Sequence, residues 1–149
     1  MEIVEVTQVT DEILEAFQRL MPQLSSSAAI PTFEELQDIA SSRASILYIA
    51  RDPAMGGKIL GSLTLIVFRI PTGIRAWIED VVVDAEQRGR GIGEALTRQA
   101  LKRAKLEGAK TVDLTSRPSR EAANRLYQRV GFVQRVTNIY RYDLEQQSF

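Results

Sequence analysis

Val81-Val82-Val83-Asp84-Ala85-Glu86-Gln87-Arg88-Gly89-Arg90-Gly91-Ile92-Gly93 runs from an apolar strand into the start of a helix, and this stretch decides the fold. Beyond it, Ile92, Leu96, Ala100 and Ala104 recur every fourth residue, which predicts a helix ending at Gly108, a natural C′ residue. A glycine-rich passage from strand to helix makes a good anion site. Glycine admits positive φ and lets a ligand approach the backbone closely. The first helical turn offers unpaired N–H groups and the positive end of its dipole. Arg88 and Arg90 add positive charge beside it. The loop is not a Walker loop, because Gly-Lys-Ser/Thr is missing, and its glycines are spaced two apart, unlike a dinucleotide fingerprint. The competing use of these glycines is tight packing of the connection alone.

Upstream, Ile3, Val4 and Val6 predict a first strand. Asp11 reads as the N-cap of a helix carried by Ile13, Leu14, Phe17 and Leu20 as far as Pro22. Residues 23–31 read as a loop, and Thr32-Phe33-Glu34-Glu35 is a capping-box pattern opening a second helix. Strands follow at Ile46–Ala50, Ile59–Ile70 and Ile74–Val83, separated by turns at Asp52-Pro53, Gly56-Gly57 and Pro71-Thr72-Gly73. Short turns predict an antiparallel meander. Downstream, Thr111–Thr115 reads as a strand, and Ser119 as the cap of a helix that Gly131 ends. A last strand pair is expected over Phe132–Leu144, turning near Thr137-Asn138. The sum is an α+β sheet with a β-loop-α-β unit at its centre.

Composition narrows the chemistry. With 149 residues, 44% hydrophobic and 26% charged, residues 1–149 are expected to form a single soluble domain with its own core. No apolar run approaches the roughly 20 residues of a membrane span, and the N-terminus lacks a secretory pattern; a cytoplasmic location away from membranes is expected. Without cysteine or histidine, the chain has no disulfide, thiolate metal site or cysteine nucleophile, and lacks the commonest zinc ligand. A net charge of zero argues against nucleic-acid binding by counterion release. Charge is uneven, however: residues 1–75 hold six basic and nine acidic side chains, and residues 76–149 hold thirteen and ten. An anionic ligand fits the second half better.

The pattern Arg88-x-x-Gly91-x-Gly93, entered from an apolar strand and followed by Glu94-Ala95-Leu96, resembles the acetyl-CoA signature of the GNAT superfamily of N-acetyltransferases. Asn124-x-x-Tyr127, followed by Val130-Gly131-Phe132, resembles that family's later segment. The resemblance spans roughly residues 45–144. It implies a mixed central sheet of about six to seven strands flanked by about four helices, with a V-shaped acyl-CoA cleft. It implies acetyl-CoA as acyl donor, no metal, and a primary amine as acceptor, more plausibly on a small molecule. The backbone N–H groups of Arg88, Gly89, Arg90, Gly91, Ile92 and Gly93 would hold the CoA diphosphate. Main-chain groups of Val81 and Val83 would pair with the pantetheine arm as with an added strand. Asn124 would bond the pantetheine, and Tyr127 would lie near the sulfur. The family also leaves room for a homodimer through the late strands.

Acyl transfer to an amine needs a neutral amine, a polarised carbonyl and a stabilised or protonated leaving thiolate. Tyr127 is the candidate general acid, protonated at neutral pH and three residues from Asn124 on one helix face; a purely core role is the alternative. Glu79 is the candidate general base, with Asp80 as runner-up. Adjacent carboxylates on an apolar strand point to opposite faces, and desolvation would make Glu79 a stronger base. Structural pairing with an arginine is the competing account, while similar Ile-Glu-Asp segments in GNAT enzymes deprotonate the amine through water. Trp77 shares the Glu79 face and is a candidate pocket wall or core residue. Arg43, Arg69 and Arg75 flank the expected acceptor region, where solvated surface is their simplest role. Leu24–Pro31 is a candidate flap. A non-catalytic acyl-CoA-binding module, and an acetyltransferase acting on protein N-termini or lysines, are the alternative functions.

Overall fold

Three strands joined by short turns dominate the structure, a computed structural model in which residues 1–146 are described. They are β2 (Ser45–Asp52), β3 (Lys58–Ile70) and β4 (Gly73–Val83), paired antiparallel in sequence order. Strand β1 (Glu2–Glu5) adds antiparallel to β2, and β5 (Val112–Asp113) adds parallel to β4. The sheet order is therefore β1-β2-β3-β4-β5. Helices α1 (Asp11–Leu24) and α2 (Phe33–Ser41) precede β2, α3 (Ile92–Leu106) joins β4 to β5, and α4 (Glu121–Val130) follows β5.

Alternation along the strands feeds two apolar layers. Leu47, Ile49, Ile59 and Val82 pack with Ile13, Phe17, Leu20 and Leu36 of α1 and α2. Ile46, Tyr48, Leu65, Ala76 and Ile78 pack with Ile92, Leu96, Ala100 and Ala104, the predicted face of α3. Each fully buried leucine or isoleucine contributes roughly 1.5–3 kcal/mol. The α3 layer lies very close to the sheet. A Cβ built on Gly61 would stand 2.8 Å from the Val82 carbonyl oxygen and 3.3 Å from Ile92 Cγ2.

The helix starts depend on local capping chemistry. Thr32 and Glu35 form the expected capping box, with reciprocal bonds of 3.0 and 3.1 Å. At α1 the cap is Thr10, not Asp11: its hydroxyl accepts from the Ile13 N–H, while Asp11 and Glu12 sit in the first turn against the dipole. Pro22 does not stop α1. It lies in the last turn, where it forfeits one hydrogen bond, that to the Gln18 carbonyl, and the helix runs two residues further. Ser119 is likewise not the cap of α4; Arg120 occupies that position without a side-chain cap bond.

Two departures shape the site. In β4 the register passes from Thr64↔Glu79 to Ser62↔Val82, so Asp80 and Val81 together oppose Leu63. This is a β-bulge, and Asp80 takes φ +51°, the one non-glycine residue with positive φ among those described. The bulge reverses the alternation: Ile78 faces α3, whereas Val82 faces α1 and α2. Secondly, β5 is shorter than the expected 111–115 strand and pairs only Ala76↔Val112 and Trp77↔Asp113.

The described residues form five strands, not six to seven, because 132–144 adopt no strand. Val136, Tyr140, Tyr142 and Leu144 would share one face of an extended chain, but they, like Val133 and Ile139, are exposed, so no buried apolar face docks the segment on the sheet. No helix among the described residues is long and apolar enough to cross a membrane.

Candidate active site

Beyond Trp77, β4 has no strand neighbour on the β5 side among the described residues, and the two walls part. Between them lies a cavity of about 690 Å³. Ile78, Glu79, Asp80 and Val81 line one wall, and Leu114, Thr115, Ser116 and Arg117 line the other. Tyr127 of α4, Ser119, Arg120 and Arg141 also border it, as do Leu24, Ser25 and Ala28 of the segment expected as a flap. Geometrically this is a V-shaped cleft, with an open strand edge along one side.

Glu79 and Asp80 are both exposed, so the desolvation expected for Glu79 is absent. Its partner is not an arginine either. The indole Nε1–H of Trp77 donates to Glu79 Oε1 at 2.8 Å, as expected of two side chains on one strand face. The carboxylate is thus held from one oxygen, leaving the other for water or an incoming ammonium.

Tyr127 is half-buried and packs edge-on against Phe132, with ring centroids 5.7 Å apart. Burial pushes its phenol above the usual tyrosine range, and the positive charge of Arg120 opposes that rise. It therefore combines the packing role with a place on the cavity wall. Asn124, expected to bond the pantetheine, also has a structural part. Its amide nitrogen donates to the carbonyls of Arg117 (2.9 Å) and Arg120 (2.8 Å), fixing the bend between β5 and α4. Among the described residues its oxygen has no hydrogen-bond partner.

The glycine loop carries the marks of an anion cradle. Gly89 and Gly91 have φ of +82° and +77°, with nothing within 4 Å of a Cβ built on either, so their need is conformational. Gly93 has ordinary helical backbone and serves packing: its Cβ would stand 3.2 Å from Leu126 Cδ1. No side chain caps α3, and among the described residues no acceptor meets the N–H groups of Arg88 to Gly93. These donors fit a diphosphate.

The two loop arginines differ in role. Arg90 is bound to Asp52 Oδ2 at 2.6 Å and to Gln87 Oε1 at 2.7 Å, tying the loop to the end of β2. Asp52 is 4% exposed, and the Arg90 guanidinium holds its carboxyl below the usual range. Arg88 makes no ion pair among the described residues and is exposed. Glu94 joins α3 to α4 by bonding both Arg98 and Arg129, chiefly the latter, which lowers its carboxyl as well. Among the described residues no group of three or more acidic side chains is disposed to hold a metal.

Sequence reasoning missed Asp52, which read as a turn residue, and the arginines of the cleft. Arg43, Arg69 and Arg75 do not line the cavity; Arg117, Arg120 and Arg141 do.

An open strand edge beside a splayed parallel strand, ending at a glycine-rich helix start, defines an acyl-CoA-dependent transferase. The Acetyltransferase (GNAT) family profile matches residues 10–132, and the chain belongs to that family, as an N-acetyltransferase using acetyl-CoA as acyl donor. Membership sets aside the non-catalytic module. Glucosamine 6-phosphate N-acetyltransferase 1 of Oryza sativa subsp. japonica is 31% identical over 116 residues, covering 76% of this chain and 67% of that protein. N-alpha-acetyltransferase 30 of Schizosaccharomyces pombe is 37% identical over 73 residues, covering 49% of this chain and 48% of its own. An acetyltransferase structure from Trypanosoma brucei superposes with a TM-score of 0.75 at 27% identity, over 96% of this chain and 99% of that one.

Proposed function

We propose that this chain, acting through one catalytic domain over residues 1–149, acetylates the primary amine of a small molecule. Glu79 serves as general base through a water and Tyr127 as general acid. The observation that carries the reading is that one cavity is lined by Glu79, Tyr127 and the open β4 edge at Val81.

Acetyl-CoA supplies an activated acetyl thioester; the chain's residues do the rest. Backbone N–H groups of Arg88 to Gly93 hold the diphosphate, and main-chain groups of Val81 and Val83 align the pantetheine arm. Glu79, held by Trp77, removes the ammonium proton so that nitrogen can attack. As the C–N bond forms and the C–S bond breaks, Tyr127 gives its proton to the departing sulfur, and the nitrogen's remaining extra proton passes through water to restore the Tyr127 phenol, leaving a neutral amide and CoA thiol. Burial raises its pKa and so keeps that proton in place through neutral pH. Asn124 acts first as the brace of the β5–α4 bend that presents Tyr127.

The identity with glucosamine 6-phosphate N-acetyltransferase over three quarters of the chain supports a small-molecule acceptor such as an amino sugar. A peptide N-terminus is the second reading, favoured by the N-alpha-acetyltransferase 30 match over half of the chain. Thiol release from acetyl-CoA, measured over amino sugars, amino acids, polyamines and peptides, separates them. The protein has no cysteine, so a thiol reagent sees no background from it. Release dependent on a small amine is expected. Release with peptides alone would move the assignment to the second reading, and silence throughout would defeat both.

A further inference from the structure

Arg117, Arg120 and Arg141 line the reaction cavity, and among the described residues none of them forms an ion pair. Six other arginines, Arg19, Arg51, Arg90, Arg98, Arg103 and Arg129, meet a carboxylate; what sets these three apart is that they converge unpaired on one cavity. Three unpaired guanidinium groups on one concave surface repel one another, and a cleft concentrates the field they make. Next to Arg117, the Ser116 hydroxyl is buried with no hydrogen-bond partner among the described residues. A buried hydroxyl on the cavity wall with its bonding capacity unused is free to meet a ligand atom or a water there.

The charge does not belong to the diphosphate site. That site is the start of α3, and no residue from 82 to 113 lines this cavity. The opposite wall carries Glu79 and Asp80. The cavity is therefore polar in the electrical sense, acidic on the β4 side and basic on the β5–α4 side. A volume of about 690 Å³ lies within the roughly 300–1,000 Å³ of small-molecule sites.

Resting on the acetyl-transfer reading above, we infer that the acceptor is an amine that also carries an anionic group, a phosphate monoester or a carboxylate. Its ammonium sits at the Glu79–Asp80 wall and its anion at Arg117, Arg120 and Arg141. Planar guanidinium groups offer paired donors to either oxyanion. The Asn124 amide, by fixing the carbonyls of Arg117 and Arg120, sets the backbone from which two of the three arginines project.

The test compares matched acceptors: a hexosamine against its phosphate monoester, and an α-amino acid against its carboxamide, each by thiol release. One anionic member is expected to exceed its neutral partner in kcat/KM by tenfold or more, and which pair responds identifies the anion. Arg117→Gln, Arg120→Gln and Arg141→Gln are each expected to raise the acceptor KM about tenfold, leaving the acetyl-CoA KM within about twofold. Equal turnover of charged and neutral partners, or silence of both anionic members, overturns the inference. So does a rise confined to the acetyl-CoA KM, which would hand the arginines to the donor. Turnover of neutral amines in any of these cases leaves the acetyl-transfer reading standing; only absence of thiol release with every amine removes that as well.

Discussion

Gly91→Ala tests the loop with a perturbation whose size the backbone fixes in advance. Gly91 is the N-cap of α3, at φ +77° and ψ 16°, and a Cβ there would meet nothing within 4 Å. Steric clash with neighbours is therefore excluded, and the whole effect is the left-handed conformation, about 1–2 kcal/mol for a residue bearing a Cβ. That energy can appear in two places. If the loop keeps its shape, the free protein loses it, and the melting temperature falls by about 2–8 °C for a chain of this size. If the loop relaxes, the free protein melts normally but must be strained again to bind, and acetyl-CoA affinity falls about 5–30-fold. Either way the acetyl-CoA complex, measured against unfolded chain and free ligand, loses the full amount. Calorimetric melting with and without acetyl-CoA, combined with titration calorimetry, measures both shares. Gly93→Ala is the control, since its backbone is ordinary and Leu126 Cδ1, at 3.2 Å, is a movable side-chain end. Unchanged melting and unchanged affinity in Gly91→Ala would refute the claim that this loop binds in the shape seen here.

Tyr127→Phe is expected to lower kcat about a hundredfold with little change in acetyl-CoA KM; unaltered turnover removes it as the acid. Because burial raises this phenol, the acid form is lost only as pH rises through a value above about 10, and a Tyr127-dependent alkaline limb in kcat below that would contradict the assignment. Asp52→Asn is expected to raise the acetyl-CoA KM several-fold by freeing Arg90 and loosening the loop. The lowered carboxyl of Asp52 keeps the wild-type ion pair as pH falls to about 4, with loss only below, so acetyl-CoA affinity that fades with falling pH well above this value would count against the pair as the loop's anchor. Gly61→Ala is expected to destabilise the fold by about 1–3 kcal/mol, because its Cβ would meet the Val82 backbone oxygen at 2.8 Å, an atom that cannot swing away; an unshifted thermal melt by circular dichroism would show that the sheet yields there.

Local chemistry made much of this legible. The meander, the α3 face and the Thr32–Glu35 box depend on neighbours a few residues apart, and the sequence displays those directly. The Glu79–Trp77 bond belongs to the same kind, since two residues two apart on a strand must share a face. What escaped was set by distant partners. Asp52 and Arg90 are 38 residues apart, and no local pattern joins them. Arg117 and Arg120 carry no local pattern in the sequence, and line the cavity because β5 parts from β4. The late strands depend on burial that the sequence does not display: Val136, Tyr140, Tyr142 and Leu144 have the spacing of a strand face, yet all are exposed. The loop bonds of Asn124 also join it to backbone several residues away, while its oxygen stays available for the expected pantetheine contact.

The bulge at Asp80 links the fold to the chemistry. Had β4 kept one phase, Asp80 and Val82 would join Ile78 on the face packed by Leu96 and Ala100, burying an unpaired carboxylate in an apolar layer at a cost of several kcal/mol. The extra residue, turned to φ +51°, removes that carboxylate from the core and restarts the alternation with Val82 inward on the other side. The same insertion increases local twist, at the point where β4 leaves β5 and exposes its edge. One irregularity thus accounts for two adjacent exposed carboxylates at the cleft wall and for the open edge beside them. A Glu-Asp pair within an apolar strand, unfavourable in any regular sheet, is the sequence trace of that device, and it is where the proposed base sits.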